Sequence, residues 1–197
     1  MIGRASRLVL VAAVITAVAE SASTARAQVI GSTGGAFELT DHNGRPFSST
    51  RLAGRPYALF FGYTNCPDVC PTTLLEMTNL LRRLGDKADR LAVVFITVDP
   101  EQDTPEHLRV YLGSFDPRII ALTGSPDQIA RAAQGWKAHY HKLPDERGGG
   151  YEIVHSAWVY LMDRSNRLAD TIAFNEAEDA QLAKLNRLLA GPGDGGK

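Results

Sequence analysis

Cys66 and Cys70 are the only cysteines in this 197-residue chain. They stand four residues apart in YALFFGYTNCPDVCPTTL, residues 57–74, where an apolar run gives way to a short polar turn. Two thiols so placed can close a disulfide, bind a soft metal or cycle between redox states. Cu(I) prefers soft sulfur in low coordination number, so two thiolates suffice for it, whereas a site that also holds Cu(II) wants an added nitrogen. Structural zinc takes four closed protein ligands, and the sequence shows no such set in obvious spacing. A purely structural disulfide would close a very short loop and add little chain-entropy stabilisation. With Asp68 as N-cap, Val69, Cys70 and Pro71 fill the first turn of a helix. Its free N–H groups and dipole are expected to favour a thiolate at Cys70.

His155 is the best candidate nitrogen. By itself it reads as a satisfied histidine beneath the final hairpin. It precedes the strand that begins at Trp158, and it becomes a ligand candidate if the fold sets the loop before that strand against the cysteine turn. His139 and His141 would share one side of an extended segment. Two histidines without a third ligand bind metal weakly, and the pair is read as solvated. His42 and His107 read as turn and exposed-helix residues. Asp99, at a strand end near the cysteines, is a candidate to support a ligand. Asp103-Thr104-Pro105 reads as turn and capping chemistry. Trp136 and Trp158 read as core or core-edge aromatics.

The elements that must position these residues follow from the apolar pattern. Phe37–Thr40 and Arg45–Phe47 flank an Asn-Gly hairpin turn. Tyr57–Tyr63 and Leu91–Val98 are apolar without alternation, as in strands covered on both faces. Leu74, Met77, Leu81 and Leu84 mark the helix after the cysteines, with Leu80 on the same side. Thr104-Pro105 opens a second helix. Ile119–Leu122 is a short strand, and the capping box Ser125–Gln128 opens a third helix. Lys142–Gly150 reads as a polar loop. Trp158–Met162 and Leu168–Ile172 form a last hairpin before a helix striped by Leu182, Leu185 and Leu189. The order predicts an α/β, thioredoxin-like fold. Its central mixed sheet is flanked by helices, with an N-terminal hairpin and an inserted strand-helix unit at 119–134.

The net charge of −1 gives no basic field for nucleic acid or an anionic membrane. At the N-terminus, Arg4 and Arg7 precede the apolar run Leu8–Ala19, and Ala25-Arg26-Ala27 fits a cleavage site. Residues 1–27 are therefore expected to be a signal peptide. An uncleaved anchor is the alternative, although the run is short for a membrane span. The domain is expected over 28–190, with a disordered tail at 191–197.

FFGYTNCPDVCPTTL at 60–74, VDPEQDTPEHLRVYL at 98–112 and VHSAWVYLMD at 154–163 resemble the Sco/SenC family of copper-binding, thioredoxin-like proteins. GGAFELTDHNGRPF resembles that family's N-terminal hairpin. The resemblance implies one copper ion held by metal ligands Cys66, Cys70 and His155. It implies a metallochaperone rather than an enzyme. Such a protein delivers copper to, or prepares the thiols of, the dinuclear copper centre of cytochrome c oxidase. The implied partners are the copper-bearing oxidase subunit and another periplasmic copper chaperone or thioredoxin-like reductant. The implied location is the bacterial periplasm. A thiol–disulfide oxidoreductase or redox sensor using Cys66 and Cys70 is the alternative. One departure stands out: many relatives carry Asp before the ligand histidine, where this chain has Val154.

Overall fold

A computed structural model describes residues 34–144 and 150–191. The expected signal segment 1–27, the first residues of the expected domain and residues 192–197 of the expected tail lie outside them. In chain order, Glu38–Asp41 (β1) and Pro46–Ser48 (β2) form the hairpin, and Tyr57–Gly62 (β3) leads into Val69–Leu84 (α1). Ala92–Thr97 (β4), Pro105–Leu112 (α2), Ile119–Thr123 (β5) and Pro126–Gly135 (α3) follow. Tyr140–Pro144 (β6), Tyr151–His155 (β7), Val159–Met162 (β8), Leu168–Ile172 (β9) and Glu178–Ala190 (α4) complete the described chain.

Seven strands make one mixed sheet in the order β2-β1-β5-β4-β3-β8-β9. β3, β4 and β5 run parallel, while β8 joins β3 antiparallel. Every residue of β3 and β4 is buried, as the unalternating apolar runs predict. Tyr57, Leu59, Phe61, Val94 and Ile96 pack with Ile129, Ala132 and Trp136 of the α3 side. Ala58, Phe60, Val93 and Phe95 pack with Leu74, Met77 and Leu81 of α1, Leu108 of α2 and Leu185 of α4. The sheet is thus covered on both faces, and burying each large side chain stabilises it by about 1.5–3 kcal/mol. Thr104 and Ser125 cap α2 and α3 as expected, each accepting a backbone N–H through its hydroxyl.

Two expectations need correction. The first residues of the stretch read as a polar loop, Lys142–Pro144, belong to a strand: β6 and β7 pair antiparallel as a separate two-stranded sheet, with Tyr140 opposite His155 and His141 opposite Val154. β6 has no buried residue, so no apolar alternation announces it. Trp158 is not a core residue but is 50% exposed, whereas Trp136 is buried between Tyr57 and Tyr160.

Candidate metal centre

The first limb of the site is the turn between β3 and α1. Asp68 stands at the N-cap, although its side chain makes no capping bond. Cys70 lies in the first helical turn and is buried against the end of β3. The approach is close enough to need glycine at position 62, since a Cβ there would lie 2.7 Å from the Cys70 sulfur and 2.8 Å from Phe95. Cys66 sits in the turn itself, half-buried, its N–H donating to the Tyr63 carbonyl at 3.3 Å.

The second limb is β7, which ends at His155. Its Nε2 lies 3.3 Å from the Cys70 sulfur. Its Nδ1 lies 3.1 Å from the Ser156 carbonyl. A carbonyl only accepts, so Nδ1 carries the proton and Nε2 presents its lone pair to the sulfurs. The Tyr63 ring meets the imidazole edge-on at 5.9 Å, and the Tyr63 hydroxyl accepts the Ile153 N–H at 3.2 Å. One tyrosine of the first limb therefore fixes both the ring and the backbone of the second.

The ligand atoms of Cys66, Cys70 and His155 all lie within 4.8 Å of one another. Two metal–sulfur bonds of about 2.3 Å laid end to end span about 4.6 Å, so a soft ion fits between the sulfurs. The set of two sulfurs and one nitrogen suits Cu(I) through the thiols and Cu(II) through the added imidazole. It falls one short of the closed four-ligand set of structural zinc. An open cleft of about 260 Å³ reaches the centre past Cys66, Pro67, Glu152, Val154 and His155.

The two thiols are not equivalent. The Cys70 thiol donates to Cys66 and holds its pKa down to about 4 against the opposing effect of burial, with help from the N–H groups of Cys70 and Asp68. The hydrogen bond to Cys66, then burial and the neighbouring charge, push Cys70 far up. This reverses the expectation that the helix start favours a thiolate at Cys70. That residue's N–H points at the Cys66 sulfur, 3.4 Å away, so the helix N-terminus stabilises charge on the earlier cysteine.

Sequence reasoning missed most of the residues that hold these limbs. Asp103 is a carboxylate 1% exposed that accepts from the Thr64 N–H at 3.1 Å and the Thr64 hydroxyl at 2.5 Å. Burial raises its pKa, and donors from Thr64 and Thr97 oppose the rise. Asp99, also 1% exposed, accepts from the Tyr151 hydroxyl at 2.8 and 2.9 Å and pairs with Lys142 at 3.0 Å. The sequence pointed to Asp99 by its place at a strand end near the cysteines, and its contacts run to the ribbon that ends in His155. The role of Asp103 was hidden by its neighbour, because Asp-Thr-Pro reads completely as a helix cap. His107 places Nε2 3.0 Å from the Thr64 hydroxyl, and the His42 Nδ1 accepts the Ala121 N–H at 3.2 Å. His139 and His141 are exposed and stand outside the three-ligand group.

The SCO1/SenC family model matches residues 25–190. The chain belongs to the SCO1/SenC family. A SCO2-like protein of Rickettsia prowazekii is 42% identical over 135 residues, 68% of this chain and 66% of the relative's own length. The chain therefore spans just under two thirds of that relative. Bradyrhizobium japonicum ScoI with copper bound is 42% identical, covers 79% of this chain and 98% of its own, and superposes with a TM-score of 0.73. Yeast Sco1 with copper bound is 32% identical, covers 83% and 92%, and gives 0.75. The thioredoxin-like architecture of the family is thus the architecture of this chain. No described helix is long and apolar enough to cross a membrane.

Proposed function

We propose that this protein carries one copper ion on Cys66, Cys70 and His155, and that it serves cytochrome c oxidase assembly. The copper is cargo: the chain delivers it to, or prepares the thiols of, the oxidase's dinuclear copper centre. The observation that carries this reading is the convergence of two sulfurs and an aimed imidazole nitrogen within 4.8 Å. The copper-bound state of similar family members supports the choice of metal. Two thiolates hold Cu(I), and Nε2 completes the set when the ion is Cu(II). Cys66, on the open side, is the ligand a receiving thiol reaches first, and Cys70 is the buried one that retains the ion until exchange. The protein acts as a carrier rather than an enzyme. Its partners on this reading are the copper-bearing oxidase subunit and a second copper chaperone or thioredoxin-like reductant. Residues 1–27 direct or anchor the domain of 28–190 to the bacterial periplasm.

The test is an anaerobic titration of the fully reduced protein with Cu(I) against a competing chelator. One ion per chain with a dissociation constant below about 1 μM is the expected result. Failure to compete with even a modest chelator would sink the reading. Protein oxidised to a Cys66–Cys70 disulfide is expected to bind no Cu(I), since no thiolate remains.

A second reading, thiol–disulfide exchange, is favoured by the unequal thiols. The Cys66 thiolate attacks a partner disulfide, and one partner sulfur leaves as thiolate. Cys70 then displaces the second, giving up its proton and closing the Cys66–Cys70 disulfide. The deciding measurement is the reduction potential of the pair, together with its exchange with the thiols of an oxidase copper domain.

A further inference from the structure

Both limbs of the centre are tied to one short segment, Thr97–Asp103, between β4 and α2. On one side, Asp103 takes two donors from Thr64, which lies two residues before Cys66. On the other, Asp99 takes the Tyr151 hydroxyl and the Lys142 ammonium from the ribbon that ends in His155. The two acids are joined through Thr97, whose hydroxyl donates to Asp103 at 2.5 Å and accepts the Asp99 N–H at 2.9 Å. The Asp103 N–H donates to the Asp99 carbonyl at 2.9 Å, which closes the segment on itself. An unbroken path of hydrogen bonds thus runs from the cysteine turn through Asp103, Thr97 and Asp99 to the histidine ribbon.

The placement is not explained by the loop's own needs. Helix α2 is capped by Thr104, not by Asp103. Acids are almost never fully buried unless they are paired. Here both carboxylates reach beyond their own loop to hold two segments that are distant in sequence, one bearing the sulfurs and the other the nitrogen, while Asp103 also keeps the Thr97 hydroxyl.

We infer that Thr97–Asp103 is a brace that sets the separation of the two sulfurs from the imidazole, with Asp103 and Asp99 as positioning residues for the metal centre. The Asp103 arm fixes the sulfurs and the Asp99 arm fixes the nitrogen. Neither acid touches the ion. The inference rests on the copper-binding reading, but the two fail separately. The arms also differ in which oxidation state they govern, because two thiolates satisfy Cu(I) and Cu(II) needs the imidazole.

The experiment compares Thr64→Val, Thr64→Ser and Tyr151→Phe with the wild-type domain. Cu(I) affinity by chelator competition, the thiolate-to-Cu(II) absorption band, alkylation of the metal-free reduced protein and the melting temperature are measured on each. Thr64→Val is expected to weaken Cu(I) and Cu(II) about tenfold, the size of a lost hydrogen bond to a charged group. It is also expected to open Cys70 to alkylation, which the wild type protects. Thr64→Ser keeps both donors and is expected to match the wild type. Tyr151→Phe is expected to weaken Cu(II) about tenfold and shift the absorption band, with Cu(I) affinity held within about twofold. Folded variants with wild-type affinities, spectrum and thiol protection would overturn the brace. So would identical losses in both arms that track only a lowered melting temperature. If Thr64→Val does not fold, Tyr151→Phe decides alone by its split between the two oxidation states. If the wild type binds no copper, the carrier reading falls and the alkylation pattern still decides whether Thr64 holds the sulfurs.

Discussion

The cysteine turn and the histidine ribbon meet at one point but are held there by different forces. The turn springs from β3, whose neighbours β4 and β8 bury it on both edges and whose faces are both covered. Its Cys70 sulfur is pressed into the hollow left by Gly62. The ribbon stands apart from the main sheet, and Ile153 is its one fully buried residue. Tyr140 and Tyr151 lean on the core beside it, and polar contacts from Asp99 and the Tyr63 hydroxyl fasten it further. The sulfurs are therefore placed by packing with the Asp103 arm in support, and the nitrogen depends more on hydrogen bonds. Close-packed cores move little. A ribbon with few buried contacts opens at lower free energy. The arrangement keeps the soft ligands fixed and lets the nitrogen yield first, which would suit the carrier proposed above.

The sharpest way to break this comparison is chemical. Within the turn, the structure assigns the charge to Cys66, whose pKa is drawn down to about 4 by the Cys70 thiol. At pH 6 Cys66 should be alkylated on the order of a hundredfold faster than Cys70, against an ordinary thiol pKa of about 8.5. Its rate should fall only as the pH approaches about 4. The sign for stability follows. A folded-state pKa below the unfolded one makes the Cys66 contribution complete above the unfolded thiol range and loses it as pH falls through about 4. Cys70 runs the other way, its raised pKa favouring the folded state below the unfolded range and losing that advantage as pH rises. Mass-spectrometric mapping of label at each cysteine checks the order, and faster labelling at Cys70 would reverse the assignment.

Removing the ribbon's ligand comes next in size. His155→Ala leaves both sulfurs in place, so Cu(I) affinity should change by less than about tenfold, while Cu(II) affinity falls by about 100-fold. Equal losses for both ions would show that the nitrogen is not the more dispensable ligand for Cu(I). Gly62→Ala probes the packed limb. A methyl group 2.7 Å from the Cys70 sulfur must displace it or Phe95. Overpacking of this kind costs about 1–3 kcal/mol, seen as a lower melting temperature. Cu(I) affinity should fall about tenfold with it. A variant with wild-type stability and affinity would mean that the sulfur is not wedged as described.

Much of the packed limb was legible in the sequence, and little of the ribbon was. YALFFG and AVVFIT read as covered strands because burial on both faces leaves them almost wholly apolar. Leu74, Met77 and Leu81 gave the helix its face. The same physics left the ribbon unreadable. Tyr140–Pro144 exposes its length, so polarity hid its strand, and Tyr151–His155 shows a single buried residue. His155 itself was found through the family's motif, not through spacing, since 85 residues separate it from Cys70. Asp103 could not be found at all, because a buried acid that grips a distant turn has the same local spelling as a helix cap. The assignment of the thiolate to the wrong cysteine has a similar root. Helix position was visible, but the direction of the Cys70 N–H toward Cys66 was not.

The smallest effect expected concerns Val154, where the resemblance leads one to expect an aspartate. Val154 alternates with His155 along β7, 57% exposed, opposite His141 on β6 and at the rim of the cleft that leads to Cys66. An aspartate there stands in water, with His141 as its cross-strand neighbour, and it reaches the ion only through space. Exposed charge pairs are worth about 0.2–1 kcal/mol. Val154→Asp should therefore tighten Cu(II) by no more than about fivefold and leave Cu(I) within about twofold. The gain should fade as salt is raised toward 1 M, where screening acts over about 3 Å. An increase of a hundredfold that persists in high salt would mean that the new carboxylate bonds the His155 imidazole directly. The ribbon would then have to turn over, and the packed and tethered limbs would no longer differ as the contacts at Asp99 and Tyr63 require.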